Sequence, residues 1–343
     1  MKQHNFNLLL TVLFCLFIGG MFLGSILLPD RTFSQLENRN LATDPKLSWE
    51  TVTTGTFMED AEDYVNDQII GRDFWVALKA WSERVSGKQE NNGVYFAKED
   101  TLISRVDTPS QSDLEENAGY VNALVNNVDV PVYFGIIPSA AEIWSYRLPE
   151  GAPTADEKAI IDRLYNEVQT HVIDLYSVLN AHKDEELYYR TDHHWTSLGA
   201  YYGYTALMNA MGLEAVPLDE SQKVTVSDEF YGTLFSSSGV RWLPPDHIDR
   251  YISDEGVTVT AYPNGTPEPG SLYVDSYLEV KDKYSSFLGG NKPLCVIETE
   301  HTDAPKVLVI RDSYPDSLPA CILIVFIVFR SHNIEWYYRH HTI

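Results

Sequence analysis

Across 343 residues, acidic side chains outnumber basic ones 49 to 25, a formal net charge of −24. Without clustered Lys and Arg, that balance excludes a nucleic-acid binder and a surface that lies along anionic lipid. Cys15, Cys295 and Cys321 are too few and too scattered for a disulfide framework or a C-x-x-C zinc site, and the chain is long enough for one large domain or two small ones.

The first element is the uncharged run Phe6–Leu28, FNLLLTVLFCLFIGGMFLGSILL. As a helix it spans roughly 30 Å, the thickness of a bilayer core. Lys2 and the free amine precede it, while Asp30 and Arg31 follow. The positive-inside rule then puts the N-terminus in the cytoplasm and the body outside. A cleaved signal peptide is the rival, but no A-x-A-like site follows the run. Residues 1–29 are therefore read as a cytoplasmic stub and single-pass cell-membrane anchor, 30–105 as a helical and hairpin region packing on the core, and 106–343 as an α/β domain.

In the second region, Phe57–Val85 reads as helix broken near Gly71. Phe74, Trp75, Leu78, Trp81 and Val85 recur at helical spacing, an apolar face expected to point at the core. Gly93–Ser104 predicts a hairpin turning at Lys98–Asp100. Alternation follows. Ser112 and Glu115 have capping-box spacing for a helix to Val128, and Val130–Ile137 reads as a buried strand. Thr154 and Glu157 repeat that spacing for a helix to Thr170, with a strand over His171–Tyr176. Ser197–Met211 is a helix stopped by Gly212, and Lys306–Ile310 a short buried strand. This order indicates an α/β fold with a mostly parallel sheet covered on both faces. Between about 213 and 303, Pro, Gly and Ser are frequent, and the stretch reads as an irregular insertion with a short strand at Val257–Tyr262.

Two patterns carry chemistry. In the first, Tyr188–Ala200, Asp192 and His194 stand two apart, so an extended segment points both at one site and His193 away. A carboxylate beside a histidine fixes its tautomer and stabilises the imidazolium when the other nitrogen takes a proton. Trp195 would wall the pocket. In the second, the strand Lys306–Ile310 ends in Arg311-Asp312-Ser313-Tyr314, the strand-to-turn position at which α/β hydrolytic enzymes expose a serine. Serine needs a neighbouring base, and His194 is the candidate. Asp192-His193-His194 also resembles a metal fragment, but adjacent histidines rarely serve one ion and no H-x-x-x-H or E-x-x-H partner lies nearby. No metal and no cofactor is expected. A structural His-Trp turn capping a helix, and an ordinary turn at Ser313, are the plain alternatives.

The string TDHHWTSLGAYYGY resembles the signature of the DHHW family of bacterial envelope proteins, themselves similar to the SGNH-hydrolase-type domains of alginate acetylation proteins (the AlgX and AlgJ kind). ENRNLA, FMEDAEDY, GRDFW, YFGIIPSAAEIW, YGTLFSSSGVRW, KYSSFLGGN and VLVIRDSY follow in the familiar order, from about residue 30 to 318. The resemblance implies a three-layer SGNH-hydrolase-like, flavodoxin-like sheet and the triad Ser313, His194 and Asp192. Trp195, Tyr314 and Arg311 would line the substrate side, with the Ser313 N–H as one oxyanion donor and Gly290 with Asn291 as a second, a plain turn before a strand being the alternative for that GGN loop. The implied activity is acyl transfer or ester hydrolysis at O-acetyl groups of an extracellular or cell-wall polysaccharide, with a membrane protein as acyl donor. The alternative is a non-catalytic envelope protein that binds glycan or a partner through the same cleft.

The resemblance fades after Leu318. Ala320–Phe329 is an apolar run too short to span a bilayer, where an SGNH-type sheet should continue with a helix and a further strand. A truncated or frameshifted reading frame would explain this departure, and the chain would then be weakly active and prone to aggregate.

Overall fold

The computed structural model describes residues 2–300, 306–312, 314–318 and 328–333; Ser313 and most of the Ala320–Phe329 run lie outside the described residues. The chain forms two compact units, Met1–Lys88 with Gly239–Arg241, and Gln89–Ser238 with Trp242–Ile343.

In the first unit, α1 (Lys2–Leu27) is the one described helix long and apolar enough to cross a membrane. A hairpin of β1 (Phe33–Ser34) and β2 (Arg39–Asn40) follows. The α2 helix (Trp49–Thr54) opens with a reciprocal capping box between Ser48 and Thr51. Gly71, at φ +70, separates α3 (Thr56–Gln68) from α4 (Arg72–Val85), a left-handed break that glycine adopts without strain. The apolar face of α4 does not point at a core: Phe74, Leu78, Trp81 and Val85 are exposed. The covered stripe is Arg72, Val76, Ala80 and Glu83, at the same helical spacing but on another side. Periodicity located the face without saying whether it would be covered.

Charge holds the Arg72 end of that stripe. Asp67 accepts from Arg39 Nη1 at 2.9 Å, Arg39 Nη2 at 2.5 Å and the Ala42 N–H at 2.8 Å, while Arg72 Nη2 reaches Glu37 at 3.0 Å. Hydrogen bonding from Arg39 holds the Asp67 carboxyl below its ordinary range. At Glu37 burial opposes ionisation, but Arg72 and Arg39 prevail and lower its pKa as well. Both contributions are complete above the ordinary carboxylate range and are lost as pH falls through the depressed folded values, so acid loosens this unit. Asp67→Ala removes the buried acceptor shared by Arg39, Arg72 and the Ala42 N–H while Glu37 still pairs both guanidinium groups, and is expected to destabilise the unit by about 2 kcal/mol. Protease digestion of the detergent-solubilised chain during a thermal ramp checks this: cuts within 30–88 should appear at lower temperature than in the parent.

The larger unit starts with an antiparallel sheet of β3 (Glu90–Asn91), β4 (Val94–Phe96) and β5 (Leu102–Ser104). Its β4–β5 hairpin turns through left-handed Glu99 and Asp100, as expected. The α5 helix (Gln111–Asn126) is capped by Ser110 with Asp113, not by Ser112 with Glu115. Then β6 (Tyr133–Gly135) runs parallel to β7 (His171–Ile173), with α6 (Ala140–Ile143) and α7 (Glu157–Glu167) in the crossover. Asp156, not Thr154, caps α7, which leaves Glu157 to accept from Ser139 instead. Next come α8 (Leu175–Ala181), α9 (Ser197–Ala210), β8 (Val224–Phe230), α10 (Thr233–Ser238) and β9 (Asp246–Arg250), with β8 antiparallel to β9.

Finally β10 (Thr258–Ala261), β11 (Glu268–Gly270), β12 (Leu294–Glu298), β13 (Val307–Arg311) and β14 (Val328–Asn333) form a sheet ordered β11-β10-β12-β14-β13. Within it only β13 and β14 run parallel. The chain is thus α/β, but its described strands form small sheets of mixed direction rather than one three-layer parallel sheet. Short returns such as β10 to β11 join antiparallel neighbours, whereas parallel ones need a crossover. Nor is β13 buried on both faces: Val307 and Val309 pack toward Tyr204, Met208 and Ile297, while Leu308 and Ile310 are exposed at the sheet's margin.

Candidate active site

The loop 188–195 is closed at its base by a bridge between Tyr188 and Trp195 and by the Tyr189 N–H donating to the His194 carbonyl at 3.2 Å. Beneath it, Trp195 is 1% exposed, and its ring lies where a Cβ on Gly203 would sit, 2.6 Å away. Gly203 therefore lets the tryptophan pass close under α9, while Thr196 caps that helix by accepting from the Gly199 N–H at 3.2 Å. On the other flank, buried Asp246 accepts from Thr191 Oγ1 at 2.6 Å, the Thr191 N–H at 2.8 Å and the Arg190 N–H at 3.0 Å. The residue before Asp192 is thereby fixed in backbone and side chain.

At the tip, Asp192 and His194 are both buried. Asp192 Oδ1 accepts from His194 Nδ1 at 2.6 Å and from the His194 N–H at 2.9 Å. Its Oδ2 accepts from the Thr233 N–H at 2.7 Å and Thr233 Oγ1 at 3.0 Å. Burial alone would raise the Asp192 pKa, but His194 and the other donors hold it far below the ordinary range. With Nδ1–H committed to a carboxylate, the lone pair of a neutral His194 resides on Nε2. The imidazole stacks on the buried Tyr284 ring, centroids 3.9 Å apart and planes 14° from parallel. Tyr284 in turn donates from its hydroxyl to the Tyr314 carbonyl at 2.8 Å. The Tyr314 ring lies 5.3 Å from that of His194, and its hydroxyl donates to the His193 carbonyl. The turn that follows β13 is therefore tied to the histidine from two directions. Ser313 itself lies outside the described residues.

A family model described as DHHW protein matches residues 107–336, more than half of the chain. The chain belongs to the DHHW family. No curated protein sequence matches it. Among solved structures, a DHHW family protein from Eubacterium siraeum DSM 15702 is 26% identical, covering 71% of this chain and 84% of that one at a TM-score of 0.62. Bacillus cereus PatB1, solved with a sulfonyl adduct, is 17% identical over 72% of this chain and 87% of its own, TM-score 0.58. The O-acetyltransferase domain of Pseudomonas putida AlgJ is 14% identical over 70% and 80%, TM-score 0.44.

In this DHHW protein several expectations need correction. His193 does not point away from the pair: its Nδ1 is 3.7 Å from Asp192 Oδ1 and its ring centroid 3.8 Å from that of His194. The chain bends through 190–194, so strand alternation does not apply. Trp195 packs in the core with Trp144, Tyr188 and Leu187 and does not wall an open pocket. Arg311 is buried in an ion pair with Asp316, whose carboxyl is pushed up to about 6 by burial against the pull of Arg311. That guanidinium also donates to the Asp312 carbonyl at 2.6 Å and so is engaged within its own segment. The Gly290 N–H donates to the Phe287 carbonyl at 3.2 Å, which removes it as an oxyanion donor, and Asn291 is exposed on the same loop. The Tyr314 ring centroid is 5.9 Å from that of His193.

Potential ligand atoms of Asp192, His193 and His194 lie within 4.8 Å of one another. Both Asp192 oxygens already accept two donors each, however, and His194 presents Nδ1–H to one of them.

Sequence reasoning missed Thr233, Tyr284 and Asp246, all from the stretch read as irregular, and the demand placed on Gly232. A Cβ at Gly232 would lie 2.2 Å from Asp192 Cβ and 2.3 Å from Oδ2. The Y-G-T string carried that signal, since a glycine before a hydroxyl residue lets backbone and side chain close together on a carboxylate. Gly232→Ala is expected to displace Asp192 and lower turnover of an activated acetyl ester about 100-fold; parental kcat/KM would show that the contact tolerates a methyl group.

Proposed function

We propose that this DHHW protein is a membrane-anchored, extracytoplasmic acyltransferase or esterase with an SGNH-like triad, acting on O-acetyl groups of a cell-envelope or extracellular glycan. The observation that carries the reading is the buried Asp192–His194 pair, bonded at 2.6 Å, with the Tyr314 ring centroid 5.3 Å from that of His194. Ser313 Oγ attacks an acyl carbonyl as His194 Nε2 takes its proton, and Asp192 stabilises the imidazolium. The tetrahedral adduct collapses with His194 returning the proton to the leaving oxygen, and an acyl-serine remains. A sugar hydroxyl or water then gives its proton to His194, attacks the acyl carbon and regenerates Ser313. Transfer and hydrolysis differ only in that last nucleophile.

PatB1, which shares the fold, has been solved with a sulfonyl adduct, and sulfonyl reagents capture activated nucleophiles. The apolar α1 helix supports the anchor, and a membrane acyl-donor protein is the partner this topology suits. The test is labelling of the full chain, in membranes, with a fluorophosphonate. Labelling that disappears in Ser313→Ala supports the triad. An unlabelled parent would overturn it in favour of a protein that binds glycan or a partner through the same cleft.

A further inference from the structure

His193 is absent from the mechanism above, yet its setting is as determined as that of His194. Its Nδ1 lies 2.6 Å from Thr233 Oγ1. That hydroxyl has one hydrogen and stands 3.0 Å from the ionised Asp192 Oδ2, which can only accept. The Thr233 hydrogen therefore points at Asp192, and His193 must be the donor of the shorter bond. A neutral His193 then carries its proton on Nδ1 and its lone pair on Nε2, the tautomer that Asp192 imposes on His194. Burial favours the neutral form and lowers the His193 pKa, an effect that Asp192 and Asp312 oppose and His194 reinforces. The outcome is a pair of adjacent imidazoles of the same tautomer, centroids 3.8 Å apart, one buried and one with 38% of its side chain exposed.

Such a lone pair is unsuited to an acyl carbonyl or a developing oxyanion, both of which need donors. It suits a hydroxyl. The reacting hydroxyl must give its proton to His194, so a hydroxyl held by His193 is a second one, set beside it. We propose that His193 and His194 together read a vicinal diol, His193 Nε2 accepting from the hydroxyl adjacent to the one being acylated or released. This rests on the acyl-transfer reading. It makes the substrate class a sugar or polyol with two neighbouring free hydroxyls, and His193 a residue that selects the acceptor.

The test uses the full chain in detergent with p-nitrophenyl acetate as donor and propane-1,2-diol or propan-1-ol as acceptor, with hydrolysis followed in parallel. The parent should favour the diol. In His193→Phe, transfer to the diol should fall about tenfold further than transfer to propan-1-ol or hydrolysis, the effect of one hydrogen bond. His193→Gln, whose amide oxygen can accept near the lost Nε2, should recover most of the preference. Equal falls on both alcohols and water, or a parent without diol preference, would overturn the diol reading while leaving the triad standing. Absence of Ser313-dependent turnover in the parent would overturn both.

Discussion

His194→Ala is expected to lower kcat/KM for an activated acetyl ester by about 10⁶-fold, with loss of fluorophosphonate capture at Ser313. The size follows from the coupling of three groups. Without the imidazole nothing takes the Ser313 proton, and the carboxylate at Asp192 has no cation to stabilise. Folding should survive, because the loop is held by bonds that do not involve the ring: Asp246 on Thr191, Thr233 on Asp192, Tyr188 on the Pro138 carbonyl at 2.7 Å. Lost stacking on Tyr284 leaves a space, so a modest fall in melting temperature is expected beside the kinetic loss. Near-parental turnover in the variant would place the base elsewhere and dissolve the triad.

What could be read from the chain was local. Asp192 and His194 stand two apart, near enough in sequence for the carboxylate to reach the imidazole, as it does at 2.6 Å. The stop at Gly212 and the break at Gly71, both at left-handed φ, are likewise set by neighbours in sequence. The supports were not legible, because each arrives from far along the chain. Thr233 is 41 residues from Asp192 and Asp246 is 55 from Thr191, joined only by tertiary packing. Their stretch has no strong periodicity, so it read as loop, yet it delivers the Asp192 hydrogen-bond shell and the ring under His194. The orientation of His193 failed for a related reason: alternation belongs to extended strands, and this segment bends. The α4 face and β13 show the limit of hydrophobic pattern, which marks a surface as apolar without naming what covers it.

Asp192→Asn is the second large effect, about 10⁴-fold in kcat/KM. The carboxylate can only accept, and four donors converge on it: His194 Nδ1–H, the His194 N–H, and the Thr233 N–H and Oγ1. An amide oxygen satisfies one side of that set. Its NH2 must then face donors on the other, and the arrangement relaxes when His194 shifts its proton to Nε2 and accepts at Nδ1. That tautomer cannot take a proton from Ser313. Stability should respond with a definite sign. Because the Asp192 pKa is depressed in the folded chain, its contribution is complete above the ordinary carboxylate range and is lost as pH falls through the folded value. The parent should therefore lose melting temperature on strong acidification more steeply than Asp192→Asn, whose curve lacks that contribution at every pH. Melting curves from pH 7 to strong acid, run beside the kinetics, read both effects. Parental kcat/KM in the variant would show that His194 takes its orientation from something other than this carboxylate.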